Sequence, residues 1–167
     1  MDSRYDAICG ITEDELYSVL GEAISEMANK FDYTVDEMKS LLKKQYDGYH
    51  FSEALLDIYN PFSIINAFDK LKLDNYWYKS GMPTYLVKLL EGHHVNMQKL
   101  TSRPYESQYF VDYRADAENP LAMLYQSGYL TIKGYDRHYR EYTLDYPNVE
   151  VRKGFVALMA EANKCCS

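Results

Sequence analysis

Apolar residues recur at helical spacing in two stretches near the start of the chain, each opened by the same polar signature. Thr12-Glu-Asp-Glu15 is a capping box, in which a threonine and a glutamate three positions on satisfy each other's ends of a first turn. Leu16, Val19, Leu20, Ala23, Ile24 and Met27 then return every three or four residues, which predicts a helix over about 13–29. Thr34-Val-Asp-Glu37 repeats the signature, and Met38, Leu41 and Leu42 mark one face of a second helix ending near Lys44. The two helices are expected to form a hairpin. Asp47-Gly48 is a turn dipeptide, and 49–58 has no firm period, so it is expected to be extended or irregular. Asn60-Pro61 combines a good N-cap with a first-turn proline, so Phe62, Ile65, Ala67 and Phe68 open a third helix. Pro83 begins a fourth, through Tyr85, Leu86, Leu89 and Leu90, with Gly92 as its stop.

From Val95 to Asp116 the pattern weakens. Asn96 to Leu100 is expected to be a short helix and Gln108 to Val111 a short strand. Asn119-Pro120 opens a helix carrying Leu121, Met123, Leu124 and Tyr125, which Gly128 ends. Tyr129 to Ile132 reads as a strand, Gly134 to His138 as a polar loop and Tyr139 to Leu144 as the returning strand, giving a hairpin at about 129–145. Asn148 caps a last helix through Val151, Phe155, Leu158 and Met159. The expected fold is mainly α with this small β-hairpin. Helix, hairpin, helix is the kind of unit a winged-helix domain uses.

Composition changes the picture in one respect. The chain has 18 tyrosines, concentrated in aromatic blocks between Tyr46 and Tyr78 and in the last third. Tyrosine buries a ring but needs a partner for its hydroxyl, so these residues belong at half-buried seams. The formal charge of -7 argues against a protein that wraps nucleic acid over its whole surface, although it allows one local basic patch. No apolar run approaches the ~18 residues of a membrane helix. The start, Met-Asp-Ser-Arg, has no signal-peptide pattern. Cys9, Cys165 and Cys166 are too few and too badly spaced for a disulfide framework. A reducing, cytoplasmic setting is expected.

Candidate chemistry is sparse. The sequence has no Gly-x4-Gly-Lys-Ser/Thr and no Gly-x-Gly-x-x-Gly. Its histidines are His50, His93, His94 and His138. Adjacent His93 and His94 make a poor metal pair, and His50 is expected to be a hydrogen-bonded packing residue. Glu37-Met-Lys39 matches half of a nuclease motif that belongs on a strand. Here it follows a helix cap, where residues two apart point about 200° apart. Nothing nearby in sequence would activate Cys9. The locally basic, aromatic patch is the hairpin loop, in which Lys133, Arg137, His138 and Arg140 are candidates to touch a phosphate backbone or a protein.

The blocks Tyr46-Asp-Gly-Tyr-His-Phe51, Tyr59-Asn-Pro-Phe-Ser63, Tyr76-Trp-Tyr78 with Ser80-Gly-Met-Pro-Thr84, and Gln126-Ser-Gly-Tyr-Leu-Thr-Ile132 resemble, in order and spacing, the AAA-ATPase-like proteins abundant in gut Bacteroidetes and Firmicutes. Arg4 to Glu13, Tyr142-Thr-Leu144 and Tyr146 to Val151 extend the likeness over nearly the whole chain. Complete members of that family have a P-loop ATPase core, a helical and winged-helix-like region and a C-terminal nuclease-like domain of the PD-(D/E)xK type. The resemblance covers the middle region alone. It implies a helical lid-like part over 1–58 and a winged-helix-like part over 59–167. Tyr46, Asp47, Gly48, Tyr49, Phe51, Asn60, Pro61, Phe62, Gly81, Pro83, Gly128 and Tyr129 are its structural motif positions. No catalytic or metal-binding residue and no cofactor carries over, ATP and Mg being implied only for the ATPase core. The implied partners are that core and the nuclease-like domain, with a second copy of the chain and nucleic acid as lesser alternatives and no membrane. Met1 falls where such proteins continue upstream, so an excised piece or an internal start is expected.

Overall fold

The structure, a computed structural model, describes residues 10–79, 86, 88, 95–111 and 120–165. Two residues of strand, β1 (Ile11–Thr12), lead directly into α1 (Glu13–Phe31). The Thr12 hydroxyl accepts from the Glu15 amide at 3.3 Å, and the Glu15 carboxylate accepts from the Thr12 amide at 2.9 Å. Helix α1 bends at Leu20 and stops at Asp32, which takes a left-handed conformation. The same reciprocal cap between Thr34 and Glu37 opens α2 (Val35–Tyr46), which runs two residues beyond its expected end. The extension buries Tyr46, whose hydroxyl donates to the Asp74 carbonyl and accepts from the Asp74 amide, both at 2.9 Å.

Strand β2 (Ile58–Tyr59) pairs antiparallel with β1, a contact that the short apolar pairs did not announce. Asn60 then caps α3 (Pro61–Asp69), and a single turn, α4 (Tyr76–Lys79), follows. Asn96 caps α5 (Met97–Thr101). The strand expected at Gln108 to Val111 is absent. Ser107–Tyr109 forms a 3-10 turn instead, because Tyr105 takes the available edge by a two-bond bridge to Tyr142. Helix α6 (Pro120–Gln126) ends at Gly128, whose φ of +77 supplies the left-handed turn. Strand β3 (Thr131–Asp136) and β4 (Glu141–Asp145) form the hairpin, and α7 (Val149–Cys165), capped by Asn148, closes the chain. The loop expected at Gly134 to His138 is displaced, since the strand passes through Gly134 with a register shift and the turn occupies 137–140. The Asp136 carboxylate accepts the amides of His138 and Tyr139, and Arg140 adopts φ +55 to complete it.

Among the described residues the chain is mainly helical with two small antiparallel sheets. Two apolar cores form. The first gathers Leu16, Ile24, Met27, Met38, Leu42, Tyr46, Tyr59 and Ile64. The second gathers Phe110, Leu124, Tyr129, Ile132, Tyr142, Leu144, Val151 and Phe155. Each fully buried aliphatic side chain contributes about 1.5–3 kcal/mol of transfer free energy. The expected division at residue 58 falls inside the first core, between the two residues of β2. Helix α7 contacts both α2 and α4 and so spans the two cores. Gly81, Pro83 and most of the fourth helix lie outside the described residues, although Leu86 and Lys88 are helical.

Candidate functional site

The aromatic blocks converge on the seam between the two cores. Tyr49 bridges Ile58, folding 47–58 into a loop that lies against β3. The His50 amide donates to the Thr131 hydroxyl at 2.8 Å, and that hydroxyl donates back to the His50 carbonyl at 2.9 Å. On the ring, Nδ1 lies 2.6 Å from the Ile132 carbonyl and Nε2 lies 2.7 Å from Asp57 Oδ1. Burial works against the charge on Asp57, but hydrogen bonds from His50 and Lys43 outweigh it and hold that carboxyl below its ordinary range.

Two further joints cross the seam. The Lys133 ammonium donates to the carbonyls of Gly48 at 2.7 Å and Pro147 at 3.0 Å, and burial draws its pKa down. Asn148 donates to the Asp47 carbonyl at 3.0 Å. Deepest is Glu150, fully buried at the start of α7. Its carboxylate accepts from the Ser63 hydroxyl at 2.7 Å and from the Trp77 amide at 2.8 Å, tying α7 to α3 and α4. Burial pushes its pKa up, and the bonds from Ser63 and from the Trp77 and Tyr76 amides only partly oppose this. Glu150 lies within the Tyr146 to Val151 block, and the sequence pattern assigns it no role. A glutamate set between two valines at the start of the helix is the available signal.

Beside these joints lies a half-open cavity of about 460 Å³. Its walls come from four of the motif blocks: Tyr49 and Phe51, Tyr59 to Pro61, Trp77, and Gln126 to Gly128. Trp77 meets Tyr129 edge-on at 4.8 Å, which fixes the indole in the wall. Phe62 and Ile65 are 48% and 57% exposed, so α3 carries exposed apolar side chains close in sequence to Pro61 of the cavity wall.

The 47–58 loop also contributes Asp47 and Asp57 to a charged cluster. The Lys43 ammonium sits 2.8 Å from Glu13, 3.2 Å from Asp57 and 3.8 Å from Asp47. Hydrogen bonds from Lys43 and Tyr17 lower the Glu13 pKa. Burial, with the Glu13 carboxylate beside it, pushes the Tyr17 hydroxyl up to about 12. Among the described residues no group of three or more His, Cys, Asp or Glu could hold a metal, and no helix is long and apolar enough to cross a membrane.

The residues singled out in the hairpin are not all brought together. Arg137, His138 and Arg140 are exposed at the turn, whereas Lys133 points inward and its ammonium is committed to backbone carbonyls. Of the motif positions, Tyr46, Asp47, Gly48, Tyr49, Phe51, Asn60, Pro61, Gly128 and Tyr129 meet at the seam or line its cavity. Phe62 faces outward.

Over 154 residues, 91% of its length, the chain is 30% identical to a protein of Azotobacter chroococcum mcd 1 described as an uncharacterized protein in the vnfD 5′ region. The chain spans 28% of that relative's length. No protein-family profile matches the sequence, and no solved structure matches it.

Proposed function

We propose that this chain is a non-catalytic, helical and winged-helix-like segment of an AAA-ATPase-like protein, which packs on an ATPase core and couples it to a neighbouring module. The observation that carries this reading is how the motif blocks use their polar groups. Lys133, Asn148, Glu150 and His50 are engaged in internal joints, while the rings beside them frame an open apolar cavity. A cavity walled by rings, with Phe62 and Ile65 exposed close in sequence to its wall residue Pro61, suits a contact with another apolar surface. The relative from Azotobacter adds support, because its counterpart of this chain is a minor part of a much longer polypeptide. The helix–hairpin–helix order of α6, β3, β4 and α7 is compatible with a winged helix, and the first core with a helical lid. The coupling role rests on analogy with multidomain ATPases.

Isothermal titration of the chain with ATP and Mg²⁺ tests the non-catalytic part. The reading expects no binding heat, and micromolar affinity would overturn it. The genomic sequence on either side tests the placement: in-frame ATPase and nuclease motifs are expected, and their absence removes the AAA-ATPase-like assignment. A second reading, nucleic-acid binding through the hairpin turn, is favoured by the exposure of Arg137, His138 and Arg140. It requires salt-dependent DNA binding, and no binding at low salt removes it.

A further inference from the structure

Asp47 closes α2, its amide donating to the Lys43 carbonyl. The residue is 2% exposed, and neither carboxylate oxygen has a hydrogen bond of good geometry. A negative charge there faces three penalties: a buried site with no well-placed donor, the negative end of the α2 dipole, and acidic neighbours. Those neighbours are Glu13 at the head of α1 and Asp57 on the 47–58 loop. The attracting groups are poorly placed. The Lys43 ammonium lies 3.8 Å away and is shared with Glu13 and Asp57. Lys133 of β3 is held by the carbonyls of Gly48 and Pro147, and His50 by Asp57 and the Ile132 carbonyl. From β2, the Tyr59 hydroxyl is buried without a hydrogen bond of good geometry, although the Tyr17 hydroxyl interacts with it.

We propose that Asp47 is a proton-operated catch: the packed arrangement holds its side chain as the neutral carboxylic acid, and losing that proton to solvent loosens the joint between the end of α2 and the β1–β2 pair. The joint is direct, since the Asn60 amide, next after β2, donates to the Tyr46 carbonyl at 3.1 Å. Once ionised, the carboxylate gains most by turning toward the Lys43 ammonium, which draws Lys43 from Glu13 and Asp57. Burial dominates the electrostatics and pushes the carboxyl up to about 6, against the help of Lys43 and the Gly48 amide. The packed form therefore holds the proton about a hundredfold more tightly than an unfolded aspartate. This device stands independently of the reading of the chain as an ATPase-like segment.

The test is a carbon-13 NMR titration of the Asp47 carboxyl in the intact chain, with amide hydrogen exchange at Asn60 followed over the same pH range. The expected result is a midpoint near 6, with exchange at Asn60 speeding up as the proton leaves, beyond the intrinsic rise with pH. A midpoint at or below about 4, or exchange at Asn60 that follows the intrinsic rate alone, overturns the proposal. Asp47→Asn provides the second arm, since its amide is neutral at every pH. It is expected to raise the melting temperature at pH 7.5 and to change it little at pH 4.5. A lower melting temperature at both pH values contradicts the catch, and if the variant does not fold, the wild-type titration still decides.

Discussion

Gly48 adopts φ +91 where the chain leaves α2, and a β-carbon built there meets the Pro147 carbonyl and the Lys133 ammonium. Both neighbours belong to the joint that holds the loop against the hairpin. Gly48→Ala is therefore expected to cost about 2 kcal/mol or more, from backbone strain and displaced Lys133 together, measured by urea unfolding. A loss below about 0.5 kcal/mol would show that the joint yields easily. Glu150 offers a sharper comparison. Glu150→Ala strands the Ser63 hydroxyl and the Trp77 amide and is expected to cost about 2–4 kcal/mol. Glu150→Gln keeps the shape and an acceptor for the Trp77 amide, while the Ser63 hydroxyl can turn to accept, so the loss should stay near 1 kcal/mol. Equal losses would mean that the negative charge, and not the hydrogen-bonded shape, holds α7 in place.

At the scale of elements, the two capping boxes show what short-range pattern can specify. Thr12 with Glu15 and Thr34 with Glu37 each fix a helix start, and Asn60 with Pro61 fixes a third, because every group involved lies within one turn. The β1–β2 pair, the α4 turn and the 3-10 turn at 107–109 were not legible for the opposite reason. Two-residue strands carry no period, and their existence depends on partners some fifty residues away. The hairpin was legible as an element and misplaced at its tip, since the bulge at Gly134 lengthens β3 and moves the turn to 137–140. That turn is solvated and separate from both cores, so replacing Arg137 and Arg140 with alanine should change stability by less than about 0.5 kcal/mol. If the turn contacts DNA, the same variant abolishes the binding in low-salt fluorescence anisotropy. Unchanged binding would place the contact elsewhere.

Over the whole molecule, the site was legible as a set of motifs and not as a mechanism. Aromatic blocks announced a seam, but which polar side chains would cross it depended on distant pairings such as Glu150 with Ser63 and Lys133 with Gly48. The same cross-links set the pH response. Asp47 is raised, so its contribution to stability is complete below about 4 and is lost as pH rises through about 6. Glu13 and Asp57 are lowered, so their contributions are present above the ordinary carboxylate range and are lost on acidification. Thermal stability should therefore peak near pH 4–5, fall as pH rises to about 6 and level off by about 7, as read by melting temperature against pH at constant ionic strength. A maximum at pH 7–8 would show that carboxylates needing their charge outweigh Asp47.

The docking role assigned to the aromatic cavity is tested most directly by hydrogen exchange on the full-length Azotobacter relative, compared with its excised segment corresponding to this chain. The account predicts that segments equivalent to 51–66 and 125–128, around the cavity mouth, exchange more slowly in the full-length protein, while the equivalent of the 137–140 turn is unchanged. Identical exchange of the cavity segments in both proteins would contradict it.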